Sequence, residues 1–456
     1  MSERETLSSR LGFIMLSVGC AVGLGNVWRF PYITGKYGGG MFVLLYLVFL
    51  VLLGYPLLIA ELSTGRCGRS TLVGSADKIS GNKKLWSIIF RTVFTGNFIL
   101  MCYYTVVSGW LLAYTWYYLT NSISSCTTPE AFANCFSALT ANPVASSCGM
   151  LVTVALATFV CICGLRNGVE KTVKWLMMFL FFLLFLLTVR SLALPGTARA
   201  MEFYLMPDWG KFTSNIAETV YAAMGQAFFT LSIGVGSIAI FGSYIKKENS
   251  LPGEAVTIIS LDTLIAIMAG LIIFPCCFSF GVNPGSGPGL IFISLPNTFG
   301  QMAGGRWWGA LFFVFLSIAA LTTVIAVFEN LIAYLIDQWN LKRRLATLIV
   351  GIAVALCSIP CVLGFNLWSA FQPMGKGTNI LDLEDFIVSQ NLLPLGAAAL
   401  ALFCSLKYGW GWEGFITEAN TGKGLKFPKA LKWYFRYLLP LLIAVVMFMG
   451  YKQLFS

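Results

Sequence analysis

The run Gly19-Cys20-Ala21-Val22-Gly23-Leu24-Gly25-Asn26 lies in the middle of the first apolar segment of this 456-residue chain. A Gly-x-Gly at that depth is a weak point in a helix, since each glycine costs about 1 kcal/mol of helix stability relative to alanine. A second such run, Thr230-Leu231-Ser232-Ile233-Gly234-Val235-Gly236-Ser237, occupies the middle of the sixth apolar segment. Small residues at these places also suit close helix packing. Their spacing along the chain favours an unwound break in each segment. Five segments followed by five more, each set opening on a broken one, is the plan of an inverted repeat with its site at the membrane midplane. An odd repeat length forces the two halves into opposite orientations.

The rest of the chain supports a membrane setting. Hydrophobic residues make up 57% and charged residues 11%, where a soluble domain carries about 25% charged residues. The mean hydropathy is +0.79. The apolar residues come in blocks, and one crossing needs about 20 of them. Eleven such segments are expected, at about 11–34, 41–66, 88–120, 149–165, 171–194, 215–245, 254–281, 305–338, 345–364, 383–406 and 433–452. The chain then reads as one transmembrane domain, 1–456, with a first repeat over 11–194, a second over 215–406, and an eleventh segment after them.

Most of the 30 Lys and Arg residues fall in alternate connecting segments, which is the positive-inside pattern. The net charge of +11 therefore points to topology and not to nucleic acid. The expected placement is a multi-pass protein of the cell membrane, amino terminus in the cytoplasm and carboxyl terminus outside. Residues 1–10 are short and polar with no cleavage site after them, so the first segment is expected to be retained.

The 13 cysteines mostly lie in apolar stretches and read as small buried hydrophobes. Cys126 and Cys135 stand in an outer segment, about 121–148, where either a disulfide or free thiols would fit. Residues 283–302, with Pro284, Pro288 and Pro296 around a short apolar stretch, read as a re-entrant or capping loop. No histidine is present, so a His-based zinc site or catalytic triad is excluded, and no nucleophile–base spacing suggests an enzyme.

Several stretches carry a family likeness: Arg10-Leu11-Gly12-Phe13, Ala21 through Tyr32 (AVGLGNVWRFPY), Gly38-Gly39-Gly40, Gly225-Gln226-Ala227-Phe228-Phe229-Thr230-Leu231-Ser232 and Ala319-Ala320-Leu321-Thr322-Thr323. With these the chain resembles the neurotransmitter:sodium symporter family, in its bacterial amino-acid branch, over nearly its whole length. The resemblance implies an all-α polytopic membrane protein with a LeuT-like 5+5 inverted repeat, broken helices 1 and 6 and about 11 transmembrane helices. It implies symport of an amino acid with sodium by alternating access, with the lipid bilayer and small molecules as the only partners. A sodium-dependent sensor that binds without transporting, or a transporter of the same fold from another family, are the alternatives.

The same resemblance implies two sodium sites. The first would use the Ala21 carbonyl, Asn26, Thr230, Asp262 and the substrate carboxylate. The second would use the carbonyls of Gly19, Val22 and Ala319 with the hydroxyls of Thr322 and Thr323. Oxygen-only ligand sets suit a hard cation. An intramembrane carboxylate such as Asp262 costs about 2.5–3.5 kcal/mol on insertion scales and calls for a cation or proton partner. The family usually has Asn at Asp262, and its chloride-dependent members a Ser where Ala266 stands. No chloride requirement is therefore expected.

The substrate would be held by Ala21, Leu24, Gly25, Tyr104, Phe229, Thr230 and Ser232 at its carboxylate and amine. Leu100, Phe229, Val235, Thr323 and Val327 would surround its side chain. That lining is apolar and implies a hydrophobic or aromatic amino acid. Gates would form from Arg29 with Asp385 on one side, and from Arg4 and Asp337 with Tyr244 on the other. Glu61 is expected to satisfy backbone freed at the breaks. One departure stands out: related bacterial members often pair Gly with Pro ten residues on in the fifth segment, and here Gly168 is followed by Met178.

Overall fold

The protein, in a computed structural model, is described over residues 5–214, 216–285 and 289–455. Arg4 and Pro288 lie outside the described residues. Among the described residues, nine helices are long and apolar enough to cross a membrane: Gly40–Gly68, Lys84–Leu119, Pro143–Ile162, Leu165–Leu192, Leu251–Ser279, Gly305–Trp339, Arg343–Leu363, Ile380–Ser405 and Lys429–Lys452. A tenth crossing is the bent pair Arg10–Ala21 and Gly25–Lys36, whose halves meet at 54°. The eleventh is divided: Ile216–Thr230 and Ala239–Tyr244 are separated by non-helical backbone. In chain order these are spans 1 to 11, with span 1 the bent pair and span 6 the divided one.

Both breaks fall where the Gly-x-Gly runs stand. In span 6 the chain turns through Ser232, φ +50°, Gly234, φ +110°, and Gly236, φ +83°. Gly234 adopts its conformation at no steric cost, whereas Ser232 holds a left-handed geometry that side chains rarely accept. In span 1 the first half closes with the Val22 N–H donating to Val18 O at 2.7 Å, and Val22 itself is extended.

The boundaries differ from expectation mainly around span 4. That helix starts at Pro143 and not near 149, because Asn142 caps it by accepting from the amides of Val144 and Ala145. The expected outer segment instead contains a helix of its own, Pro129–Ala141, capped by Thr128. The stretch after span 7 forms the short apolar helix Leu290–Gly300. Its Phe292 stacks on Phe136 with ring centroids 4.7 Å apart, and its backbone accepts from the Tyr114 hydroxyl at 2.9 Å. Span 5 opens on a wide turn, Leu165–Glu170, and runs as α-helix from Lys171 through Met178 to Leu192.

Spans 1, 6, 3, 7 and 8 bring their polar residues inward. Asn26, Asn97, Gln226, Asp262, Thr322, Glu329 and Asn330 are each 0% exposed. Buried polar groups of this kind must be paired within the protein.

Candidate functional site

The site is built from the two breaks. In span 6, the freed amides of Gly234, Ile238 and Ala239 donate to the Glu61 carboxylate at 3.0, 2.9 and 3.3 Å. The freed carbonyls have partners as well. Asn97 Nδ2 donates to Val235 O at 2.6 Å, and Asn330 Nδ2 donates to Gly236 O at 3.1 Å. Ser237 donates to Asn97 Oδ1 at 2.6 Å, which fixes the amide of Asn97. In span 1, the Gly25 carbonyl accepts from Gln226 Nε2 at 3.0 Å. Side chains from other spans thus hold three freed amides and two freed carbonyls of span 6 and one carbonyl of span 1, in line with the cost of unpaired backbone in a membrane.

Two oxygen-rich clusters flank the span 1 break. In the first, Asn26 Nδ2 donates to Asp262 Oδ1 at 2.9 Å and to the Asp262 carbonyl at 3.2 Å. Thr230 donates to Asp262 Oδ2 at 2.8 Å. The Asn26 Oδ1 atom is buried and has no hydrogen-bond partner, which leaves an oxygen lone pair for a cation. In the second cluster, the Thr323 hydroxyl lies 3.2 Å from Gly19 O, 3.1 Å from Val22 O and 3.2 Å from Ala319 O. The Thr322 hydroxyl is 3.0 Å from Ala319 O. Four groups of the expected second set, the carbonyls of Gly19, Val22 and Ala319 and the Thr323 hydroxyl, therefore meet at one point, while the Thr322 hydroxyl is bonded back to Ala319 O in its own helix.

Between the clusters the Leu24 N–H donates to the Tyr104 hydroxyl at 3.0 Å. A methyl group added at Gly23 would stand 2.4 Å from Tyr104 Oη and 2.9 Å from Thr323 Oγ1. Two hydroxyls therefore converge on a position that has room for no side chain. A methyl at Gly25 would lie 2.8 Å from the Phe229 ring, so this ring closes over the break. Leu100, Val235 and Val327 are buried. Val235 packs on Gly96, one turn from Leu100 on span 3.

The gate pairs are arranged differently from expectation. Arg29 and Asp385 do not form an ion pair. The Arg29 guanidinium lies over the Phe229 ring, 4.3 Å from its centroid. Asp385 accepts from Tyr103 at 3.0 Å and from Ser389 at 2.7 Å. Each side chain is held by another partner instead, Arg29 by the face of the Phe229 ring and Asp385 by two hydroxyl donors. A cavity of about 200 Å³ on this side is lined by Arg29, Tyr32, Lys36, Tyr221 and Gln390 among others. On the opposite side, Asp337 accepts from the Ser70 hydroxyl at 2.6 Å and the Thr71 N–H at 3.1 Å. Tyr244 donates to Glu329 at 2.9 Å, and Glu329 is ion-paired with Arg343.

Sequence reading missed Asn97, Gln226, Asn330 and the Glu329–Arg343 pair. The signal was available, because amides and carboxylates inside apolar spans are costly and face the protein interior. What was lacking was any means of saying which backbone group each would meet. Glu170 was also missed. It accepts from the Ser8 amide and hydroxyl at 2.8 and 2.6 Å and from the Ser9 amide at 3.2 Å, tying the start of span 1 to span 5.

Comparison with known proteins agrees with this architecture. A model described as the Sodium:neurotransmitter symporter family matches residues 4–148 and 145–455. The sodium-dependent transporter YhdH of Bacillus subtilis is 33% identical, with 98% of each chain covered. A sodium-dependent transporter of Haemophilus influenzae is 34% identical, with 97% of each covered. Among solved structures, MhsT in complex with L-phenylalanine matches with a TM-score of 0.87 at 36% identity, covering 98% of this chain and 99% of that one. The 5+5 arrangement with broken spans 1 and 6 is the LeuT-like fold of that transporter.

Proposed function

Since the chain belongs to the sodium:neurotransmitter symporter family, whose members are sodium-coupled transporters and not enzymes, we propose that it carries an apolar or aromatic amino acid into the cell together with sodium. The observation that carries this reading is the convergence of the Tyr104 and Thr323 hydroxyls on Gly23, with the Leu24 amide donating to the Tyr104 hydroxyl. Donors of this kind suit the carboxylate of a substrate that brings its own negative charge. The solved relative bound to L-phenylalanine supports an aromatic side chain in the apolar part of the pocket.

Two sodium ions are proposed as co-substrates. One would sit between Ala21 O, Asn26 Oδ1, Thr230, Asp262 and the substrate carboxylate. The other would sit among Gly19 O, Val22 O, Ala319 O, Thr322 and Thr323. Coupling follows because the first ion and the substrate share a ligand, so each stabilises the state that binds the other. The fixed charge of Asp262 beside the first ion takes the place of a chloride, and transport is proposed to be chloride-independent. Arg29 over Phe229 forms the cover on one side of the substrate. The Asp337 region, with Tyr244 and the Glu329–Arg343 pair, forms the closure on the other. The protein is proposed to lie in the cell membrane with its amino terminus in the cytoplasm.

The test is a binding screen of the twenty amino acids on purified protein, in sodium and with potassium replacing it. Sodium-dependent binding of an apolar or aromatic amino acid is the expected result. Equal binding in both salts would overturn the shared-ligand coupling, and binding of none would overturn the substrate class.

A further inference from the structure

Spans 4 and 5 are pressed together at Gly168, where an added methyl would stand 2.1 Å from the Val160 carbonyl oxygen. Beyond that contact they part, and a groove of about 630 Å³ opens between them on the face turned away from the transport site. Asn167, Lys171, Trp175 and Phe179 all line it. A spacing of four residues places Lys171, Trp175 and Phe179 along one helix face, and Asn167 stands in the wide turn before them. The groove therefore has a polar end at Asn167 and Lys171 and an apolar end at Trp175 and Phe179. Phe159 of span 4 forms the facing wall and is 68% exposed.

The charge at the polar end is unbalanced. No carboxylate lines the groove. The adjacent Glu170 is buried on the other face, held by Ser8 and Ser9. Arg166 is engaged with the Thr6 carbonyl and hydroxyl at 2.7 and 3.0 Å. Lys171 is exposed and makes no ion pair among the described residues. It belongs to the lysine-rich side of the chain, where the positive-inside pattern puts the inner leaflet.

We propose that this groove is a binding site for an anionic phospholipid, its phosphate at Lys171 and one acyl chain between Phe159, Trp175 and Phe179. A basic pocket between helices at that leaflet is a known way to hold such headgroups. A soluble anion would match the polar end alone and leave three large aromatic side chains unused. A zwitterionic lipid would match the apolar end but carry no net charge for Lys171 to meet.

Native mass spectrometry of the full chain in mild detergent, titrated with phosphatidylglycerol or phosphatidylcholine, tests this. One phosphatidylglycerol should be retained at about fivefold lower concentration than phosphatidylcholine, the preference one lysine supplies. Lys171→Gln should erase that preference, and Thr172→Trp, which fills the groove and keeps the lysine, should lower retention of both lipids. Lys429→Gln, a lysine outside the groove, should change neither. Equal retention of the two lipids by the unaltered chain, or an unchanged preference in K171Q, would overturn the site.

Discussion

Asn26 Nδ2 donates to Asp262 Oδ1 at 2.9 Å, while the Asn26 carbonyl oxygen on the same buried amide has no hydrogen-bond partner. The carboxylate thus fixes which way the amide faces and leaves its oxygen without a hydrogen-bond donor, as the proposed sodium ligand. Asp262 has a second role, since Thr230 donates to its other oxygen at 2.8 Å. One acidic side chain orients two of the proposed ligands of the first sodium.

Replacing Asp262 by Asn keeps the size and removes the charge. Loss of an opposite charge within a few ångströms of sodium should weaken sodium-dependent substrate binding by at least about tenfold. The unaltered protein should transport equally well when gluconate replaces chloride in proteoliposomes. A strict chloride requirement in the unaltered protein would refute the assignment.

Thr323 offers one hydroxyl to three carbonyl oxygens within 3.2 Å. Thr323→Val is close in shape and removes that oxygen. A charge-assisted contact is worth about 1.5–3 kcal/mol, so a sodium titration of substrate binding should shift to at least about tenfold higher concentration. An unchanged midpoint would place the second ion elsewhere.

Glu61 holds the three freed amides of span 6. Glu61→Gln leaves only one acceptor oxygen and adds a donor that faces amide donors. Stability should fall by about 3 kcal/mol, read as an earlier thermal unfolding midpoint in micelles. Little or no change in that midpoint would mean that the break is held by Asn97 and Asn330 instead.

Arg29 stands over the Phe229 ring at 4.3 Å, a contact worth about 0.5–2 kcal/mol. Arg29→Ala should slow uptake several-fold while leaving substrate binding in sodium close to normal. Asp385→Asn should matter less, because Asp385 accepts from Tyr103 and Ser389 and is not paired with the arginine. Unimpaired uptake in R29A would remove the gate assignment.

Cys135 lies outside the spans, in the helix Pro129–Ala141, and burial, with Cys126 beside it, pushes its thiol up to about 11. A raised thiol value means less thiolate at neutral pH, since the thiolate is the reactive form. After reduction, alkylation of Cys135 should be slow at pH 7 and should keep accelerating up to about pH 11. A rate that levels off near pH 8.5 would show an ordinary, exposed thiol.

The sequence alone determined that the chain is a membrane-spanning helical protein with many crossings, and that the first and sixth apolar segments are interrupted. Those features depend on hydropathy over about 20 residues and on glycine's local cost, both of which are properties of neighbours in the chain. The likeness of AVGLGNVWRFPY to one family supplied the candidate ligands in the same way, as a local pattern. Only the tertiary structure decided what faces what. Glu61, Asn97 and Asn330 are 173, 138 and 94 residues from the span 6 groups they bind, and no local pattern encodes such a pairing. The same holds for Arg29, which settles on Phe229 while Asp385 is taken by Tyr103. Buried polar groups accept whichever partner satisfies them at hydrogen-bond distance, and that choice is made by how the spans pack.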